Sequence, residues 1–171
     1  MAKRLGVFCH AAHSYANIFA MLGLCLGAAI PFAHAAQMDI SGPLGSGAFG
    51  SVVAVLPNGN IAVTDPNGPA SNVGSVYLYS SAGTLISSLT GSTLNDHVGS
   101  GGIVVLNTGN FVVLSPSWNN GSATLAGAVT WVNGTSGLSG VVSAANSLVG
   151  TTINDQVGIG GAVALSNGNY V

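Results

Sequence analysis

The sequence predicts an all-β fold built from repeated four-stranded antiparallel units. Three observations carry this expectation: a near-repeat at a register of 59 residues, Asn-Gly turns flanked by apolar runs, and a composition almost free of charge. Gly91–Val112 (GSTLNDHVGSGGIVVLNTGNFV) and Gly150–Val171 (GTTINDQVGIGGAVALSNGNYV) agree at 13 of 22 positions without a gap. Self-similarity of this kind marks a fold whose units bury their apolar faces on one another.

The first 35 residues read as an address. Lys3 and Arg4 form a short positive region, an apolar run follows from Ile18 to Ala33, and Ala33-His34-Ala35 supplies the small residues that a signal peptidase accepts. The run is short for a bilayer span and contains Pro31, so a cleaved signal peptide is expected over residues 1–35 rather than a membrane anchor. Leu24 before Cys25 is too large for a lipoprotein signal. Both cysteines, Cys9 and Cys25, fall in this segment, which leaves the mature chain without a disulfide.

The first repeat is placed at residues 36–90, with strands Ser51–Leu56, Ile61–Thr64, Ser75–Tyr79 and Thr84–Leu89. Pro57-Asn58-Gly59-Asn60 joins the first two, Asn-Gly providing the positive φ angles of a tight hairpin. The second repeat, residues 91–149, has strands Ile103–Leu106, Phe111–Leu114 and Ala128–Val132, and a fourth within Leu138–Ser143 or just after it. Val, Ile, Leu and aromatics dominate these runs, as a pleated surface favours. Ala144–Leu148 is the one helix candidate after the leader, and it is short. Residues 150–171 begin a third, truncated repeat. Two units and a piece leave open edges and apolar faces, so the chain is expected to be a fragment of a larger protein and to pack on further repeats of it.

Phe49-Gly50 before an apolar strand, a Gly-Asn hairpin, a strand ending near Asp65-Pro66 or Ser115-Pro116, and Gly-x-Val opening the third strand resemble FG-GAP-type β-propeller blades. The pattern is also similar to repeats of very large bacterial surface proteins, including hemagglutinin-like adhesins. The resemblance covers about residues 42–171. It implies propeller-like blades in an incomplete ring; a β-solenoid is the alternative. Such blades often carry a calcium loop with alternating Asp residues. Here the corresponding turns, at residues 57–60, 107–110 and 166–169, hold no carboxylate, so calcium does not carry over.

Charge narrows the function. Charged residues are 4 % of the chain, against roughly 25 % in an ordinary soluble protein. No Lys or Arg follows Arg4, and the acids are Asp39, Asp65, Asp96 and Asp155. A mature chain without cations cannot neutralise phosphates, which argues against nucleic acid and anionic lipid as partners.

Asn95-Asp96-His97 is the pattern closest to chemistry, as an acid–base pair or part of a metal site. Its sister is Asn154-Asp155-Gln156, which keeps Asn-Asp and loses the His. That substitution favours a structural role in which Asp96 and Asp155 accept backbone N–H groups in a turn, with His97 a solvated loop residue. Asn58, Gly59, Gly109 and Gly168 are likewise assigned to turns. Gly99-Ser100-Gly101-Gly102 lacks the Lys-Ser/Thr and the helix of a phosphate loop, and its copy Gly158–Gly161 suggests a turn or bulge. One mature His and no Cys or Glu leave little for zinc, and a Ser-His-Asp triad would depend on His97. No catalytic, cofactor-binding or metal-ligating residue is therefore assigned. Trp131, mid-strand, is expected to be interior or half-buried. Trp118 in the loop 117–121, with Asn119 and Asn120, is the candidate exposed ligand contact. Asn120-Gly121-Ser122 and Asn133-Gly134-Thr135 match glycosylation sequons but also read as turns.

The expected function is a non-catalytic structural or adhesive module on a bacterial surface, displaying loops to a surface protein or glycan. The alternative is an accessory propeller domain of a secreted enzyme.

Overall fold

The computed structural model describes residues 37–171. The predicted leader, with both cysteines, lies outside the described residues. Among the described residues no helix is long and apolar enough to cross a membrane. The fold is all-β, apart from a short 3-10 turn at Ala70–Asn72.

The first sheet has the order β1-β2-β3-β4-β8 and the second β5-β6-β7-β9. Strands β1 (Val53–Val55), β2 (Ile61–Asp65), β3 (Ser75–Tyr79) and β4 (Leu85–Thr90) form an antiparallel meander. The second unit repeats it with β5 (Gly102–Val105), β6 (Phe111–Ser115), β7 (Ala128–Val132) and β9 (Ser147–Val149). Between β7 and β9 lies β8 (Gly140–Val141), which pairs in parallel with β4 of the first sheet. Of the two places expected for the fourth strand, within Leu138–Ser143 or just after it, the structure takes the second. The first covers the edge of the neighbouring sheet, and the true fourth strand is β9, where Ala144–Leu148 was the helix candidate. A helix there would leave the β7 edge unpaired, and an open edge is the costlier outcome.

The Asn-Gly hairpins share one geometry. Leu56 N–H donates to the Asn60 carbonyl at 2.8 Å and Gly59 N–H to the Leu56 carbonyl at 2.8 Å; Leu106–Asn110 and Leu165–Asn169 repeat both bonds. Positive φ falls on the glycine alone (Gly59 84°, Gly109 81°, Gly168 88°) and not on the preceding residue. This is a type I turn closed by a left-handed glycine, not the mirror-image turn with two positive φ angles.

Alternation places opposite faces of the sheets in the core. Ala62, Val76, Leu78 and Leu89 of the first sheet share a buried cluster with Phe111, Val113, Ala128 and Val132 of the second. The second sheet's other face, through Leu106, Val112, Leu114 and Val129, is met by Val157, Ala162, Ala164 and Tyr170 of the third segment. That segment is a hairpin in which Ala164 bridges Tyr170. The first sheet's outer face (Val63, Tyr77, Tyr79) is met by Ile40 and Phe49. Ala162, Ala164 and Tyr170 occupy the repeat positions of Ile103, Val105 and Phe111, so one packing relation recurs along the chain.

Candidate functional site

The chain's most repetitive local structure is the loop leading into each unit. Ser46 N–H donates to Pro43 O at 3.1 Å, Asp96 N–H to Thr93 O at 3.1 Å and Asp155 N–H to Thr152 O at 3.3 Å. The third residue of each turn has positive φ: Gly45 90°, Asn95 62° and Asn154 65°. The second residue of each is a large aliphatic, Leu44, Leu94 or Ile153, and all three are exposed. Single exposed leucines are ordinary, but the same exposed aliphatic at the same turn in three units is not. The sequence analysis saw Asn-Asp in this segment and passed over the residue before it. Its signal was the Leu/Ile equivalence within the 59-residue repeat.

The second and third of these turns are clamped by a carboxylate. Oδ2 of Asp96 accepts N–H bonds from Ser92 at 2.9 Å and Thr93 at 2.7 Å, and Oδ2 of Asp155 accepts from Thr151 and Thr152 at 2.9 and 2.8 Å. Asp96 is fully buried, and its Oδ1 also accepts from the backbone N–H (3.1 Å) and side-chain amide (2.9 Å) of Asn119. Four backbone bonds then tie the second and third of these turns to the preceding unit. Asn95, His97, Val98 and Gly91 donate to Ser71, Asn72, Val73 and Gly74; Asn154, Gln156, Val157 and Gly150 donate to Thr124, Leu125, Ala126 and Gly127. Gly74 and Gly127 sit at these junctions with φ of 74° and 77°. A Cβ on either would fall about 2.2 Å from the backbone nitrogen of Val98 or Val157.

Several expected positions are corrected. Trp118 is 5 % exposed and belongs to the core between the sheets. Its backbone N–H donates to Ser115 O at 3.1 Å, a turn that follows β6 directly. Its Nε1 has no hydrogen-bond partner among the described residues. Asn119 and Asn120 are half-buried staples: Oδ1 of Asn119 accepts from Leu125 N–H at 3.0 Å, and the Asn120 amide donates to Gly150 O at 2.9 Å. The three therefore do not form an exposed contact surface. Trp131 is the exposed tryptophan. His97 is half-buried rather than solvated, with Nδ1 at 3.0 Å from Pro66 O. The turn residue Asn58 accepts from Asn60 N–H at 3.0 Å, and its amide reaches Gly134 O at 3.0 Å.

Among the described residues the remaining polar side chains are scattered rather than gathered in one cleft. Asp65 is fully buried, with Oδ1 accepting from Gly47 and Ala48 N–H at 3.2 and 2.6 Å, while Oδ2 has no partner among the described residues. Its cross-strand neighbour Ser75 is similarly unpartnered among the described residues. Among the described residues no three His, Cys, Asp or Glu side chains come together. A groove of about 400 Å³ on the first sheet is lined by Met38, Ile40, Phe49, Gly50, Val53, Ile61 and Val63. It lacks the convergent polar groups that orient a small ligand. Beside it Phe49 packs on Tyr77 and Tyr79, at centroid distances of 5.8 and 6.2 Å. Burial, and secondarily Tyr77, raises the Tyr79 phenol above its ordinary pKa.

A family model described as a repeat of unknown function (DUF5650) matches residues 105–159. The match begins at the end of β5 and runs through β9 into the turn holding Ile153, about one repeat period, and supports a repeat module. No curated protein and no solved structure matches the chain significantly.

Proposed function

We propose that the chain is a non-catalytic, exported repeat module that works by display on a bacterial surface. Stacked sheets act as a rigid support, and the turns carrying Leu44, Leu94 and Ile153 form a row of aliphatic contacts for a partner protein. The carrying observation is that one turn, closed each time by the same backbone bond, recurs three times and presents an unburied Leu or Ile. Packing does not require an aliphatic where a side chain faces water, so contact with a partner is the reason offered for it. The resemblance of the repeats to FG-GAP-type blades and hemagglutinin-like adhesins favours the same reading. Facing sheets lie about 10 Å apart, so the contacts would recur at roughly that step.

The deciding experiment compares the chain with its Leu44→Ser, Leu94→Ser, Ile153→Ser triple variant in binding to whole cells and to extracellular matrix proteins. The variant should keep the circular dichroism spectrum and melting behaviour of the parent and lose its binding. Undiminished binding by a folded triple variant rejects the aliphatic row, and hydrolytic activity intrinsic to the pure chain rejects the non-catalytic reading.

A further inference from the structure

The exposed tryptophan has a precise counterpart. Val76, Leu78 and Leu89 of the first sheet occupy the repeat positions of Val129, Trp131 and Leu148 in the second, because Val76 opposes Leu89 as Val129 opposes Leu148. Leu78 is 1 % and Leu89 2 % exposed, whereas Trp131 is 43 % and Leu148 62 % exposed. The first pair lies in the core shared with β6 and β7 of the second unit. On the second sheet the third hairpin covers Leu106, Val112, Leu114 and Val129, so half of that face is already occupied in the same relation. The strand edges tell the same story. β4 is covered in parallel by β8 from the following unit, and β9 has no strand on its outer side among the described residues.

Resting on the repeat-module reading, we propose that the Trp131–Leu148 face is the seat of two further strands of this same repeat, which complete a third sheet beside the hairpin at Ala164–Tyr170. The hairpin already supplies the counterparts of β5 and β6, so the occupant is the remaining strand pair of the unit. It would present apolar residues in the manner of Val113, Ala128 and Val132, and its connecting segment would pair in parallel with β9 as β8 pairs with β4. The partner is recognised by apolar shape and backbone hydrogen bonds, the two means by which the first two units already join.

The test appends a copy of residues 113–149 after Val171 of the full chain, with Trp118→Phe and Trp131→Phe in the added copy only. Acrylamide quenching then reports the original tryptophans, of which Trp118 is buried in either protein. The expected result is a several-fold fall in quenching of Trp131, a blue-shifted emission and a higher melting temperature. Val113→Asp with Val132→Asp in the added copy should restore the parent values. An added segment that leaves Trp131 as quenchable as in the parent, whether unfolded or docked elsewhere, overturns the proposal. So does concentration-dependent burial of Trp131 in the unextended chain, which would assign the face to a second copy. Neither outcome touches cell binding by the Leu44, Leu94 and Ile153 row, so failure here is distinguishable from failure of the display reading.

Discussion

Asp96 gathers four donors on one buried carboxylate, whereas Asp155 holds two and is exposed. Removing Asp96 strands several N–H groups at a unit junction, so Asp96→Ala should cost about 3 kcal/mol in urea denaturation, and Asp155→Ala clearly less. Trp118 is a second anchor. Trp118→Ala should cost about 3–5 kcal/mol by opening a cavity in the core, while Trp131→Thr should scarcely move the midpoint. Deleting residues 117–125 should therefore unfold the second unit rather than trim an idle loop. Tyr79 gives the fold an alkaline limit. Its folded pKa lies above the unfolded value of about 10, so the folded state favours the neutral phenol. That contribution is complete below pH 10 and is lost as pH rises toward the folded pKa. Tyr79→Phe should flatten the fall in stability above about pH 10, measured by denaturant titration at stepped pH.

At the scale of elements, seven of the nine strands were legible because short runs rich in Val, Ile, Leu and aromatics, bounded by Gly and Asn, leave little else to build. The eighth and ninth were confused because Gly140-Val141 pairs across units, and no local pattern announces a strand that completes another unit's sheet. The tryptophans were misplaced for a related reason. Loop position suggested exposure for Trp118, but the exposure of each indole depends on which neighbouring sheet lies over it. The repeated Asn-Asp turn was readable from sequence; its exposed aliphatic needed the structure. Glycines at the junctions and at the hairpins should separate by substitution. Gly74→Ala meets the Val98 backbone as well as an unfavourable torsion and should cost about 3 kcal/mol or more. Gly109→Ala has the same sign of φ but open space around it and should cost about 1–2 kcal/mol, both read by thermal melts.

Across the described residues, one packing relation carries the chain from the first sheet to Tyr170: one face of each unit receives the opposite face of the next. Cooperativity should follow this arrangement. Loss of a junction in one place should uncouple the units, so Gly74→Ala should broaden the melting transition as well as lower it. The seams are stitched by neutral groups. Asn58 and Asn60 both donate to Gly134 O (3.0 and 2.8 Å), and Asn107 donates to Leu165 O at 3.3 Å. Amide joints have no ionic atmosphere to be stripped away, so their strength should be the same in rainwater and in brine.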